Sequence, residues 1–129
     1  MPTFTRDERL KSRKLIGQLF RGKDAYIAYP LRVVWAPLSE AEREAAFFSE
    51  NRAQVAISVP KRFFKTAVAR NRLKRQIREA YRLHKAELYE KLAAADRHVA
   101  LMLVLVAKEE VPYSAIASGM EKMIRKFPV

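Results

Sequence analysis

Residues 66–92 read TAVARNRLKRQIREAYRLHKAELYEKL, a stretch with no Gly and no Pro. Apolar side chains recur in it at helical spacing, at Leu73, Ile77, Ala80, Tyr81 and Leu88. This spacing predicts one long amphipathic helix, because residues three and four apart share a face. The helix is the central element of the predicted fold, and the rest of the chain is placed around it.

The predicted helix also carries most of the positive charge. The 129 residues include 26 Lys and Arg against 14 Asp and Glu, which gives a net charge of +12. Residues 61–85 alone hold ten Lys or Arg and one Glu. On a helical wheel, six polar side chains fall within about 100° of one another, away from the apolar arc. These are Asn71, Lys74, Arg75, Arg78, Arg82 and Lys85. Because like charges at this spacing repel, we expect a polyanionic partner.

Other interpretations of a basic helix fit this stretch less well. A solvated surface helix normally mixes the two signs of charge. A membrane surface or calmodulin also receives basic amphipathic helices, but the flanking strands predict a helix packed inside a domain. A helix-turn-helix regulator needs two short helices joined by a tight turn, and no such pair flanks residues 66–92.

The segments before the long helix predict one helix and three strands. A short helix begins after Ser12, its N-cap, and ends at Gly22. The aromatic and β-branched run 25–36 predicts two strands or a bulged edge, since Pro30 lacks the N–H of a continuous ladder. Residues 53–59 alternate in polarity as a half-buried strand does.

The segments after the long helix predict a strand and a helix. Residues 98–107 are almost wholly apolar, as in a strand covered on both faces, and Ser114 is suited to cap a last helix. The order αβββαβα predicts an α+β fold, an α/β sandwich, as a single domain over residues 1–129. With no Cys and no apolar run of about 18 residues, we expect a cytoplasmic protein without a membrane partner.

The sequence offers no catalytic constellation. It has no Gly-rich phosphate loop, no nucleophile elbow and no His pair at metal-binding spacing. We interpret His84 and His98 as structural, and Asp7, Glu8 and the acidic residues near 40–44 as solvated rather than as Mg²⁺ ligands. We therefore expect no catalytic residue and no tightly bound metal on the protein itself.

Aromatic residues near the basic helix favour single-stranded RNA as this polyanion. Those left exposed beside Lys or Arg would form a stacking platform for unpaired bases, although most aromatic side chains are buried. The candidates are Phe20, Tyr26, Tyr29, Trp35, Phe63 and Phe64.

Residues 70–82, RNRLKRQIREAYR, strongly resemble the arginine-asparagine-arginine signature helix of bacterial ribonuclease P protein subunits. The preceding VAISVPKR, residues 55–62, is similar to the strand and basic turn of that family. Residues 9–10 and 20–22 resemble its first helix, and residues 104–107 its last strand.

The resemblance implies a subunit that assembles with a catalytic RNA, binds the 5′ leader of precursor tRNA and assists its endonucleolytic removal. The RNA would carry the chemistry, with Mg²⁺ held mainly by that RNA and no protein partner required. The implied fold is that of the second domain of ribosomal protein S5, with a left-handed crossover. A non-catalytic RNA-binding module, such as a ribosomal protein, is the alternative.

The resemblance also implies site residues. Those expected to bind the catalytic RNA are Arg70, Asn71, Arg72, Lys74, Arg75, Arg78 and Arg82. The leader is expected in a cleft between the first helix and the sheet, lined by Phe20, Trp35, Lys61, Arg62 and Ile16. Ile16 departs from the family pattern, in which many members have an aromatic residue.

Overall fold

The computed structural model of the protein describes residues 8–10, 13–21, 24–38 and 52–129, which contain three helices and four strands. In chain order these are α1 (Arg13–Arg21), β1 (Ala25–Ala28), β2 (Leu31–Pro37), β3 (Ala53–Ser58), α2 (Ala67–Ala94), β4 (Val99–Leu105) and α3 (Tyr113–Lys126). The predicted order and α+β class are confirmed. The predicted N-cap Ser12 and the helix stop at Gly22 lie outside the described residues.

The four strands form one mixed sheet in the order β1-β2-β4-β3. β1 and β2 are antiparallel, and the predicted break at Pro30 lies in the turn between them. β4 is an inner strand, antiparallel to β2 and parallel to β3, which explains its apolar sequence. Residues 8–10 extend the sheet beyond β3, since the N–H of Leu10 donates to the carbonyl of Val55 at 3.0 Å.

Helices cover both faces of the sheet. α2 and α3 pack on one face around the buried side chains of Ile77, Tyr81 and Leu101. α1 packs on the other face with a smaller set of buried residues that includes Val34. Successive residues of a strand point to opposite faces, so Val33 belongs to the first core and its neighbour Val34 to the second. The outward side of α2 is thereby left for the basic residues.

The predicted long helix is confirmed, and both of its ends are fixed. Thr66 is the N-cap, and its hydroxyl accepts a backbone N–H of the first turn at 3.2 Å. At the other end Asp96 adopts a left-handed φ of 52°. The N–H of Arg97 then donates to the carbonyl of Leu92 at 2.9 Å, which closes the helix in a Schellman motif.

The start of α3 differs from the prediction. The helix begins at Tyr113 with Pro112 as its N-cap, and no side chain caps it. The carbonyl of Pro112 accepts the N–H of Ala115 at 3.0 Å, so the backbone alone closes the first turn. The prediction of Ser114 as N-cap was wrong, because Ser114 already lies inside the helix.

α3 sits unusually close to the turn between β1 and β2. A Cβ added at Gly119 would lie 2.8 Å from Cδ of Pro30, which is a steric clash. Glycine fits at this position because it has no Cβ. Tyr26 fixes the same contact, since its hydroxyl donates to the carbonyl of Met123 at 2.7 Å. Burial raises the pKa of the Tyr26 hydroxyl, which stays a donor at neutral pH.

Candidate nucleic-acid interface

The outward side of α2 holds a group of cations that the protein does not neutralise itself. Lys74, Arg75 and Arg78 are spaced to lie on one face of the helix, next to the exposed Asn71. Within the described part of the chain, no carboxylate pairs with any of the three cations. Arg75 is exposed, whereas Lys74 and Arg78 are half-buried along their stems. We refer to Lys74, Arg75 and Arg78 as the open triad.

Arg70 is engaged inside the protein. Its Nη1 donates to the carbonyls of Phe64 and Lys65, at 2.8 and 3.0 Å. Both carbonyls belong to the loop that leads into α2, so the guanidinium fixes that loop against the helix. A contact between Arg70 and RNA stays a prediction, and the structure adds this second role.

Two further arginines of the basic helix have carboxylate partners. Arg72 forms an ion pair with Glu110, from the loop that follows β4. Arg82 pairs with Glu79, with 3.0 Å between Nε and Oε2, and this hydrogen bond lowers the pKa of the Glu79 carboxyl. Exposed ion pairs of this kind are weak because water screens them, so a phosphate can replace the carboxylate at little cost.

Lys85 does not belong to the outward row, which corrects the helical-wheel prediction. Its Nζ lies 2.7 Å from both carboxylate oxygens of Glu8, and the hydroxyl of Tyr89 donates to the same carboxylate. Glu8 is only 1% exposed, so its interpretation as a solvated residue was wrong. The N-terminal segment Glu8–Leu10 lies beside this part of α2 and brings Glu8 to Lys85, 77 residues away in the chain.

A groove of about 320 Å³ opens between the N-terminal segment and α2. Arg9, Lys74 and Arg78 supply its charged walls. Val55 and Ile57 of β3 supply part of an apolar floor. The groove therefore combines cations from two separate elements with a surface on which a sugar or base can rest.

The structure does not bring together the residues predicted to line the leader cleft. Trp35 lies on the α2 and α3 face, where its ring centre is 5.3 Å from that of Phe127. Ile16 lies on the opposite face, in the core under α1. Their grouping in one cleft was wrong. Alternate residues of a strand point to the same face, so Trp35 points with Val33 toward α2 and α3, and not with Val34 toward α1.

The other predicted cleft residues are only partly located. Phe20 lies in α1, and its side chain is outside what the structure describes. Lys61 and Arg62 are exposed in the turn after β3, where the Arg62 guanidinium carbon lies 4.6 Å from the ring centre of Phe63. Their contact with the leader stays a prediction.

The face covered by α1 contains an open strip that the sequence did not indicate. The register places Ile27 beside Arg32, Arg32 beside Val104, and Val104 beside Ser58. Ile27 is 53% exposed, Arg32 is exposed, and the other two are half-buried. Apolar surface next to a cation suits an unpaired nucleotide chain. Strand pairing alone assembles this set, so no sequence motif could have revealed it.

The aromatic residues are mostly packed in the protein. Phe64 is buried, and Tyr26, Trp35 and Phe63 are half-buried against the first core. Tyr29 is 58% exposed and lies at the β1–β2 turn, away from the open triad in sequence and in the sheet order. The described aromatic residues therefore do not form the predicted stacking platform beside the basic helix.

The described residues show no metal site. No three His, Asp or Glu side chains among them are grouped so as to hold a metal ion. His84 links two helices, with Nδ1 2.8 Å from the carbonyl of Ala80 and Nε2 3.2 Å from Glu121. No helix in the described ranges is long and apolar enough to cross a membrane.

The chain has counterparts among known proteins, both in sequence and in fold. A family model for Ribonuclease P matches residues 4–128. The chain belongs to the ribonuclease P protein family. The ribonuclease P protein component of Porphyromonas gingivalis strain W83 is 35% identical over 125 residues, which are 95% of this chain and 86% of that protein. The component from strain ATCC 33277 is 35% identical over 120 residues, with 93% and 82% covered.

Solved structures of ribonuclease P proteins share the fold. The Staphylococcus aureus protein superposes with a TM-score of 0.67 at 18% identity, over 92% of this chain and 93% of the other. The Thermotoga maritima protein gives 0.68 at 17%, over 95% and 99%. The resemblance found in the sequence is thereby confirmed. The chain is a protein subunit of ribonuclease P, the endoribonuclease of tRNA processing, and a partner of the ribonuclease P RNA.

Proposed function

We propose that this subunit grips the catalytic RNA with the outward cations of α2 and holds the 5′ leader of precursor tRNA on the strip Ile27–Arg32–Val104–Ser58. One observation carries the first part, which is that the open triad has no carboxylate partner in the described part of the chain. Three cations within five residues repel one another, and phosphates between them relieve that repulsion.

The paired arginines enlarge the binding surface when RNA arrives. Arg72 and Arg82 have exposed carboxylate partners, at Glu110 and Glu79. A phosphate group offers Arg the same bidentate geometry as a carboxylate. Exchange therefore adds two contacts to the open triad, and all five cations belong to one helix.

The open strip supports the proposed position of the leader. It runs across four strands, a width of about 14 Å at about 4.8 Å per strand spacing. Arg32 offers a cation in the middle, while Ile27 and Val104 offer apolar surface on either side. Ser58 ends β3, and the predicted leader contact Lys61 follows three residues later.

The chemistry of cleavage belongs to the RNA in this proposal. RNA phosphates, not residues of this chain, would hold the Mg²⁺, and that ion would supply activation of water and charge stabilisation for hydrolysis of a phosphodiester. The described residues offer no group of ligands that fits such an ion, so we derive no step on the protein. The protein contributes countercharge, which lowers the Mg²⁺ concentration needed for RNA folding and substrate capture.

We also propose that the β3–α2–β4 crossover is left-handed, a form seen in about 2% of parallel connections. Two facts support it. The Val55 side chain packs in the core under α2, whereas its backbone carbonyl points away from β4, toward Leu10. For an L-residue this combination means that β4 lies to the left of β3 when the sheet is viewed from α2 with β3 pointing up.

Cleavage of precursor tRNA at low Mg²⁺ tests the proposed function. The subunit is added to a bacterial ribonuclease P RNA, and leader release is compared for the wild type and for Lys74→Gln/Arg75→Gln/Arg78→Gln. We expect the wild type to restore cleavage and the triple variant to lose that effect. We leave Arg70 unchanged, because its contacts with the loop before α2 make a substitution there ambiguous.

A triple variant of equal charge is the control. Arg97, Lys122 and Arg125 are exposed, and none has an ion-pair partner in the described ranges. Their replacement by Gln also removes three charges, and it should leave cleavage intact. Equal activity of the two triple variants would overturn the assignment of the open triad. A wild type that binds the RNA without promoting cleavage would favour the RNA-binding module instead.

A further inference from the structure

The N-terminal segment Glu8–Leu10 forms a wall beside α2, next to the open triad. Arg9 pairs with Val55 in a parallel bridge. Residues paired across neighbouring strands point to the same face of a sheet, and Val55 points toward α2. The Arg9 side chain therefore lies on the α2 side, whereas Leu10 is buried in the core under α1.

The groove beside this wall has the composition of a nucleotide site. Arg9 lines it on one side, and Lys74 and Arg78 line it on the other. Val55 and Ile57 form part of its apolar floor. A phosphodiester between the cations would place its sugar or base against the floor, where the contact removes apolar surface from water.

Glu8 fixes the position of this wall. Its carboxylate is 1% exposed, receives two hydrogen bonds of 2.7 Å from Lys85 Nζ, and receives a third from the Tyr89 hydroxyl. A buried charge is tolerated only when it is paired and hydrogen-bonded in this way. Since Arg9 is the next residue, the link from Glu8 to α2 fixes the backbone from which the Arg9 side chain starts.

We infer that Arg9 is a further RNA-binding residue, which completes a site for one RNA phosphate with Lys74 and Arg78, and that Glu8 is the positioning residue that holds it there. The inference rests on the proposed function and extends it to the N-terminal segment. A negatively charged side chain strengthens the binding of a polyanion, because it orients a cation.

The charge of Glu8 makes the first test decisive. Glu8→Gln raises the net charge from +12 to +13, so a purely electrostatic account expects tighter binding. We expect the Kd for ribonuclease P RNA to rise about three- to tenfold instead, an effect of about 0.7–1.4 kcal/mol. Glu90→Gln is the matched control, since Glu90 is an exposed carboxylate on α2 and its loss changes the charge equally. It should leave binding unchanged or tighter.

Two more variants keep the test independent of folding. Glu8→Asp keeps the charge and shortens the reach to Lys85, so an affinity loss in the folded variant can only be geometric. Arg9→Gln alters an exposed side chain, and it should reduce the slope of log K against log salt by about 0.7, the contribution of one single-strand phosphate. Circular dichroism and thermal unfolding establish that each variant is folded at the assay temperature.

The combination of variants identifies which part fails. If Glu8 acts through Arg9, then Glu8→Gln adds no further loss in the Arg9→Gln background. An unchanged Kd and slope for Arg9→Gln would overturn the phosphate site, and an additive loss in the double variant would overturn the positioning role. A wild type that does not bind the RNA at all would contradict the proposed function rather than this inference.

Discussion

Replacement of Gly119 by Ala should destabilise the fold, although Ala is the better helix former. A Cβ at this position would lie 2.8 Å from Cδ of Pro30 and 2.9 Å from the carbonyl oxygen of Tyr29. These are ring and backbone atoms that cannot rotate away, so α3 has to move from the sheet. Overpacking costs about 1–3 kcal/mol, and the close contacts with rigid atoms place this site in the upper part of that range, at about 2–3 kcal/mol, of which Ala returns about 1 kcal/mol as helix propensity. We expect a net loss of about 1–2 kcal/mol, which lowers Tm by about 3–8 °C.

Gly17→Ala in α1 is the matched substitution, and we expect it to change the free energy of unfolding in the opposite direction. A Cβ there would meet only the guanidinium end of Arg21, at 3.4 Å or more, and that flexible group can give way. We expect a gain of up to about 1 kcal/mol from helix propensity. Urea and thermal unfolding followed by circular dichroism measure both variants. A Gly119→Ala protein as stable as the wild type, or a common sign for the two changes, would refute the reasoning.

Two further outcomes follow from the ion pairs and the buried hydroxyls. Glu110→Gln releases Arg72 and should tighten binding to ribonuclease P RNA about 1.5- to fivefold, as for an exposed pair of about 0.2–1 kcal/mol; weaker binding in a titration at fixed salt would contradict this. Burial raises the pKa of three tyrosine hydroxyls, those of Tyr26, Tyr81 and Tyr89. The stability they contribute is therefore complete below the unfolded value of about 10 and is lost as pH rises above it. Near-ultraviolet absorbance should show these three ionising only as the protein unfolds, and ionisation in the folded state would disprove the assignment.

The elements of the fold were predictable where local pattern and tertiary packing agree. The stretch 66–92 has no helix breaker, and most of its large apolar residues share one face, so no other part of the chain is needed to define α2. Pro30 divides β1 from β2 because proline has no backbone N–H to donate to a continuous strand ladder. The apolar run that became β4 indicated an inner strand, since only a doubly covered strand avoids alternation.

The candidate site was predictable in position but not in detail. The open triad follows from spacing along one helix. The partners of Lys85 and Arg72 come from Glu8 and Glu110, 77 and 38 residues away in the chain, and no local pattern connects such positions. The wheel could therefore identify the cations but not those that the protein neutralises itself.

The grouping of Trp35 with Ile16 in one cleft was mispredicted because it depends on strand parity. Trp35 and Val34 are neighbours in the chain, yet they belong to opposite faces of the sheet. A shift of one residue exchanges the two faces, and the sequence of β2 is apolar enough on both to leave that choice open. The pairing register of β1 and β2 places Ile27 beside Arg32, and no local sequence pattern encodes that register.

The salt dependence of RNA binding tests most directly whether the open triad contacts phosphate. Kd for ribonuclease P RNA is measured over a range of salt concentrations for three proteins. These are the wild type, the Gln triple variant of the open triad, and the control Gln triple variant at Arg97, Lys122 and Arg125. At about 0.7 per single-strand phosphate, loss of the triad should reduce the slope of log K against log salt by about 2. The control should keep the wild-type slope. Equal slopes for all three proteins would contradict the account.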